Sequence, residues 1–558
     1  MGDCMQPYTL QAPEQHMTRL KLLSVALLCL TACSANSDDP TKLPSGQAGE
    51  SSGLTFIHLN DTYRIGAVDS GASGGFGRVV TIVKELQQQG RDVRILHGGD
   101  FLYPSLESQL WNGLQMVDAL NFMDDIAPLY AVVGNHETDR RTPEHLINAV
   151  RASRFDWLGD NYEFKTGADD VDAALRTVFV FEHAGRKVGI FALTLHVEDG
   201  GNDRDYVPVD INYVAAARKA IVELQARDVD LIVGLTHLHL WLDTDIAALK
   251  AEYPQLMFIG GGHEHEPEFE APSANSAAVV KGASNARSIW RVDVNFDDHG
   301  AASIEATPIE LDSNVVPDAA YEQLAQRWRD RLLEKFPFLT ARVGDAALPL
   351  DGREAIIRNV ESNWGNFVVD QMRTAFDNKP SDLAFINSGT LRIDDVIAGD
   401  ITFEDIGRTF GFSSYLRYLS MNGAEFRTML EAGYRGEGPS KGRFPQISGF
   451  RVCVDRSRAD FDRIVSLQVP ENGAWREIDA DANYDVVVSD FIYRGGDGYE
   501  FPKERPASKT GSELKYLVLD AIMRAQAEGR QIGTAVDPAN PRIVILADSS
   551  AECFAQAN

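Results

Sequence analysis

Basic residues are in short supply: 53 lysines and arginines face 82 aspartates and glutamates, a formal charge of −29 at pH 7. A nucleic-acid backbone is gripped through a positive footprint, so this balance argues against nucleic-acid binding. Small anionic substrates stay admissible where metal ions or arginines reverse the field locally. Cysteine is scarce too. Of five, Cys4, Cys29 and Cys33 lie near the amino terminus, which leaves Cys453 and Cys553 for the folded body. No Cys-x-x-Cys spacing or companion histidine surrounds these two, so thiolate metal sites and thiol catalysis drop out. In an oxidising compartment they could pair, a link that spacing alone leaves open. The apolar run Leu22–Leu30 falls short of the roughly twenty residues a spanning helix needs. With 44% hydrophobic, 24% charged and 9% aromatic residues, the chain is neither broadly disordered, collagen-like nor a polytopic membrane protein. Its 558 residues suit about three or four domains, or two large α/β units.

The amino-terminal stretch has the layout of a secretory signal: Arg19 and Lys21, then the apolar run, with Met17 the expected start. Leu30-Thr31-Ala32-Cys33 resembles the lipobox of bacterial lipoproteins. That resemblance implies a signal peptide over 17–33, lipidation of Cys33 and a cell-envelope address, periplasmic or outer-membrane. Residues 34–53, rich in Ser, Asp, Pro and Gly, read as a flexible tether.

Between Leu54 and Ile259 short apolar runs alternate with helix-like segments such as Val79–Gln89 and Tyr213–Ala226. The runs are Leu54–Leu59, Val93–Leu96, Leu129–Val133, Val188–Leu193, Leu231–Leu235 and Leu256–Ile259. This alternation predicts an α/β sheet with covered faces. Five of the runs lead into polar clusters: Asn60-Asp61-Thr62-Tyr63, His97-Gly98-Gly99-Asp100, Gly134-Asn135-His136-Glu137, Thr236-His237-Leu238-His239 and Gly260-Gly261-Gly262-His263-Glu264-His265. Open α/β sheets place their sites at the carboxyl ends of strands. Carboxylates, a carboxamide and imidazoles suit Zn, Mn, Fe or Co. Two such ions hold a phosphoryl oxygen and activate water, and they need a bridging carboxylate. Asp100, after two glycines that permit close backbone approach, is the best bridge.

These motifs, in this order, resemble those of calcineurin-like metallophosphoesterases, and the later chain is similar to the C-terminal domain of the 5'-nucleotidase family. The resemblance implies an N-terminal four-layer αββα sandwich over 54–312, an interdomain helix within 313–340 and a C-terminal α+β domain over 341–546. It implies that Asp61, Asp100 and His265 hold one divalent metal ion, and Asp100, Asn135, His237 and His263 a second. His136 is then the catalytic histidine and Asp139 its orienting carboxylate. The family's first motif is Asp-x-His, whereas this chain has Asp61-Thr62-Tyr63. Either water completes the first shell or a tyrosine does. Tyr63 is one such donor; Tyr103 is the other, because Gly99-Asp100-Phe101-Leu102-Tyr103 is similar to the Gly-Asp-x-x-Tyr of purple acid phosphatases. His58, His97, His196 and His239 are not required by the pattern.

In the second half, Tyr321, Leu324, Trp328 and Leu332 give Val315–Phe336 a helical period. Asn387-Ser388-Gly389-Thr390-Leu391-Arg392 resembles the family's phosphate loop, which implies that Arg392 and Asn387 meet the substrate. Arg443-Phe444-Pro445-Gln446 and Gly495-Gly496-Asp497-Gly498-Tyr499 resemble its two base-stacking loops, with Phe444 and Tyr499 as the plates. Glu504 would reach the ribose. The expected activity is metal-dependent hydrolysis of nucleoside 5'-monophosphates. The alternatives are a related esterase acting on UDP-sugars, cyclic nucleotides or a sulfur ester, and a decayed nucleotide-binding lipoprotein.

Overall fold

The computed structural model describes residues 53–196, 204–297, 301–376, 380–436, 441–501, 506–546 and 553–554. The expectations for Met17, the lipobox at Cys33, the tether and Glu504 fall outside these residues.

Two six-stranded sheets form the amino-terminal half. The first joins β1 (Leu54–Leu59), β2 (Asp92–His97), β3 (Leu129–Val132) and β4 (Asp156–Leu158) in parallel. β1, β2 and β3 fall on expected buried runs rich in β-branched or large apolar residues, whereas β4 was not expected. The second contains β5 (Phe179–His183), β6 (Arg186–Thr194), β7 (Leu231–His237), β8 (Leu256–Gly261), β9 (Glu268–Glu270) and β10 (Ala278–Lys281), with β6, β7, β8 and β10 parallel. β11 (Ser288–Phe296) and β12 (Ala302–Glu310) return antiparallel to the far edge of the first sheet, beside β1.

The inner faces meet in one apolar core, where the Phe56 ring of β1 lies 5.4 Å from that of Phe258 in β8. Helices cover the outer faces: Phe76–Gln88 and Leu114–Asp124 on one side, Tyr213–Gln225 and Leu240–Ala247 on the other. The result is the four-layer αββα arrangement.

The expected connecting helix runs over Ala319–Lys335 and buries Tyr321, Leu324, Trp328 and Leu332. It starts later than its periodicity suggested because the Asp318 carboxylate caps the Ala320 and Tyr321 N–H groups, leaving Pro317 outside. Beyond it lies a five-stranded mixed sheet in the order Pro445–Ser448, Leu383–Asn387, Asn483–Ser489, Leu416–Asn422, Ser508–Lys509. The helices Asn363–Arg373 and Leu514–Ala527 share an apolar cluster with it. A four-stranded sheet follows, in which Arg451–Asp455 pairs with Ile543–Leu546. Cys453 and Cys553, whose pairing the sequence left open, form a disulfide with Cα atoms 5.4 Å apart.

Candidate metal centre

Because β1, β2 and β3 are parallel neighbours in one sheet, and β7 and β8 in the other, their carboxyl ends open on one edge of the sandwich. All six residues expected as ligands gather there. Asp61, Asp100, His263 and His265 sit at positive φ (52°, 59°, 87° and 65°), a region that costs a non-glycine residue about 1–3 kcal/mol. The turns aim each side chain inward at that expense. Gly99 and Gly134 make the crowding possible: a Cβ on Gly99 would stand 2.8 Å from the Gly134 nitrogen and His237 Nδ1, and one on Gly134 would strike Asp100 Oδ1.

The donor atoms fall into two groups that meet at Asp100 Oδ2. On one side His237 Nε2 is 3.4 Å from that oxygen and 3.0 Å from Asn135 Oδ1, and His263 Nδ1 is 3.0 Å from the same Asn135 oxygen. On the other, the Tyr63 hydroxyl is 3.1 Å from Asp100 Oδ2, 3.2 Å from Asp61 Oδ1 and 2.8 Å from His265 Nε2. Asp100 Oδ1 faces away and accepts from the His136 N–H at 2.8 Å. The shared oxygen therefore occupies the place of a bridging ligand.

The set suits divalent ions: carboxylates, one carboxamide and imidazoles with a nitrogen facing in, and no sulfur. Outer partners fix the rings. His237 Nδ1 donates to the Gly98 carbonyl at 2.7 Å, and His265 Nδ1 pairs with Glu354 Oε2 at 2.7 Å, so each Nε2 points at the cluster. Burial opposes charge on His237, yet Asp100 and Asp61 outweigh it and pull its pKa up to about 10. A buried carboxylate pair demands positive charge, which a bound cation supplies in place of a proton.

His136 stands beside this cluster on the short turn Asn135–Thr138. Its Nδ1 pairs with Asp139 Oδ2 at 2.9 Å, and its Nε2 lies 3.9 Å from Asp100 Oδ2. Burial lowers its pKa, but Asp139 and Asp100 prevail and raise it above the ordinary value. Arg392, from the other half of the chain, donates from Nη2 to His136 Nε2 at 3.1 Å. Its buried Nη1 has no hydrogen-bond partner among the described residues and lies 3.8 Å from Glu354 Oε1.

Several expectations are corrected. Tyr103 is not in the cluster: the chain after Phe101 turns into the helix Leu106–Trp111, and its hydroxyl donates to Asn112 Oδ1 at 2.9 Å beneath the Arg140 guanidinium. Phe444 and Tyr499 offer no stacking face, being 2% and 0% exposed. Phe444 packs edge-on to Tyr434, while Tyr499 lies against Phe385 and donates to the Arg443 carbonyl at 2.6 Å. Asn387 spends its amide on protein partners, donating to Asp497 Oδ2 in the distant Gly496–Gly498 turn and accepting from the Thr390 hydroxyl of its own loop.

The four unassigned histidines also have places. His58 bonds the Gly261 carbonyl, His97 bonds Thr62, His196 lines a small cavity beside Asn135, and the His239 ring stands 4.5 Å from that of His263.

Three residues escaped sequence reasoning. Glu137 accepts from the N–H groups of Asp100, Phe101, Leu102 and Gly134, and so shapes the loop that carries the shared aspartate. Its place in the Gly-Asn-His-Glu motif was the available signal. Glu354 reaches His265 from 89 residues away, and Phe412 sits 5.8 Å from the His136 ring. Glu354 has no local sequence signal, whereas Phe412 ends Thr409-Phe410-Gly411-Phe412, which resembles the family's Pro-Phe-Gly-Asn at its central pair only.

Comparison with known proteins agrees with this architecture. Residues 54–267 match the calcineurin-like phosphoesterase family, and residues 342–504 match the C-terminal domain of 5'-nucleotidases. A 5'-nucleotidase of Rattus norvegicus is 24% identical over 505 residues, 83% of this chain and 86% of that one. The trifunctional nucleotide phosphoesterase YfkN of Bacillus subtilis is 24% identical over 87% of this chain and 34% of its own length. In structure, a 5'-nucleotidase precursor from Thermus thermophilus superposes with a TM-score of 0.73 at 24% identity, covering 89% of this chain and 100% of that one.

Proposed function

Because the chain carries a calcineurin-like phosphoesterase domain followed by a 5'-nucleotidase C-terminal domain, we propose that it hydrolyses nucleoside 5'-monophosphates at the cell envelope, releasing nucleoside and phosphate. It is a metal-dependent phosphoric ester hydrolase. The observation that carries the assignment is the single Asp100 oxygen shared by two donor groups, with Arg392 delivered beside it.

Asp61, Asp100 and His265 would hold one divalent ion, and Asp100, Asn135, His237 and His263 the other. Such a pair polarises phosphoryl oxygens and makes water nucleophilic at neutral pH. The Arg392 guanidinium binds the phosphate of the substrate, its free Nη1 providing the donor. When phosphate takes over the guanidinium, His136 Nε2 is released from it. Asp139 keeps the ring oriented, and His136, its released Nε2 taking up a proton from solvent, passes that proton to the leaving nucleoside oxygen.

The address rests on the signal-like segment, on Cys33 as lipid anchor, and on support from the Cys453–Cys553 disulfide, a bond of oxidising compartments. Detergent-phase partition lost in Cys33→Ser is the expected result.

Phosphate release from AMP, UMP and UDP-glucose tests the substrate, with the monophosphates expected to lead. The burial of Phe444 and Tyr499 favours a second reading, in which the phosphoester is cleaved with no grip on the base. Base stacking contributes about 1–3 kcal/mol. If the plates open in solution, kcat/KM for AMP exceeds that for ribose 5-phosphate by about 5- to 150-fold. Near-equal values establish the second reading.

A further inference from the structure

The Tyr63 hydroxyl has more acceptors around it than one phenol can serve. It stands 3.2 Å from Asp61 Oδ1, 3.1 Å from Asp100 Oδ2 and 2.8 Å from His265 Nε2. A phenol has one proton to donate. Since His265 Nδ1 is engaged by Glu354 Oε2, the neutral ring presents a lone pair at Nε2. Three electron-pair donors thus converge on one O–H, which can donate to only one of them at a time.

The distances suit another arrangement. Oxygen and nitrogen ligands about 2.0–2.2 Å from one cation stand about 2.8–3.6 Å from each other, from octahedral to tetrahedral geometry. The three contacts of the Tyr63 oxygen lie in that interval, as does the 3.4 Å between His265 Nε2 and Asp61 Oδ1. These are four of the six edges of one polyhedron. The position is also held: the Tyr63 N–H donates to Asn285 Oδ1 at 3.0 Å, and the ring is buried between His265 and the Arg392 guanidinium.

We infer that Tyr63 is a direct ligand of the first metal ion, as phenolate, and that this makes the site selective for a hard ion such as ferric iron or manganese over zinc. On coordination the phenol O–H breaks, its proton passes to solvent, and the oxygen lone pair forms the bond to the cation. Three anionic oxygens and one imidazole then surround the ion, a harder set than carboxylates with imidazole alone. The inference rests on the two-ion reading and deepens it.

The test uses the full chain, loaded in parallel with ferric, manganous or zinc salts, and compares the wild type with Tyr63→Phe and Tyr63→His. Metal content and visible absorption are read for each. The ferric wild type is expected to hold two ions and show a phenolate-to-iron charge-transfer band. Tyr63→Phe, nearly isosteric, should lose the band and weaken the first ion at least tenfold. Tyr63→His should recover the ion without the band and favour zinc. Wild-type affinity for two ions in Tyr63→Phe, or a band that survives in it, overturns the tyrosinate ligand alone. A wild type that retains no ion overturns the hydrolase reading along with it.

Discussion

On the proposed reading, individual side chains at this centre divide into those that hold cations and those that act on substrate, and substitution separates the two. His136 contributes its backbone N–H to Asp100 but keeps its ring outside the donor groups. His136→Ala is therefore expected to lower kcat by about 10²–10⁴, the usual share of a general acid, with metal content unchanged. Turnover and metal analysis on the same sample check it, and wild-type kinetics would remove its assigned role. Arg392 is proposed to meet the phosphate instead. Arg392→Ala should raise KM by about 10- to 150-fold, as loss of a charge-assisted hydrogen bond of about 1.5–3 kcal/mol implies, with a smaller effect on kcat. Residue identity was the most legible feature of the sequence, because these donor types at strand ends carry a chemical meaning of their own. Orientation was not legible. Phe444 and Tyr499 stand in matching motifs yet point into a packed interior, and nothing in a local motif states which face of a loop is covered.

Elements were legible where a single period dominates. The buried strands of the first half emerged from short β-branched runs, and the connecting helix from its three- and four-residue spacing. Their ends were less so: β7 runs on through His237, past its apolar stretch, because the ladder to β6 continues as far as Thr194. The strand that carries Cys453 shows what local pattern omits, since its disulfide to Cys553 closes a separation of 100 residues. Reduction, or the Cys453→Ser/Cys553→Ser pair, should cost about 2–5 kcal/mol of stability in the half that carries it. Thermal unfolding with and without reductant measures this, and coincident curves would show that the bond contributes nothing.

Across the whole molecule, polar contacts tie the two halves around the metal centre. Asp394 accepts from Asn285 and pairs with Arg287, Arg64 donates to the Ile393 carbonyl at 3.0 Å, and Glu354 accepts from the Ser284 hydroxyl as well as engaging His265. No sequence pattern could announce these links, which join residues brought together only by the finished fold. Through Glu354 the C-terminal domain orients the His265 ring, which is proposed to face the first ion. Glu354→Gln should weaken that ion by about tenfold while sparing the second, as loss of an outer-shell partner does. Stepwise metal titration resolves the two affinities, and an unchanged first constant would assign Glu354 to domain contact alone. Central to the whole is the claim that two cations share Asp100 and carry out the hydrolysis. Metal analysis of the purified chain, paired with AMP hydrolysis before and after chelation, tests it most directly. Two ions per chain, activity abolished by chelator and restored by metal, is the predicted result; full hydrolysis by metal-free protein would contradict it.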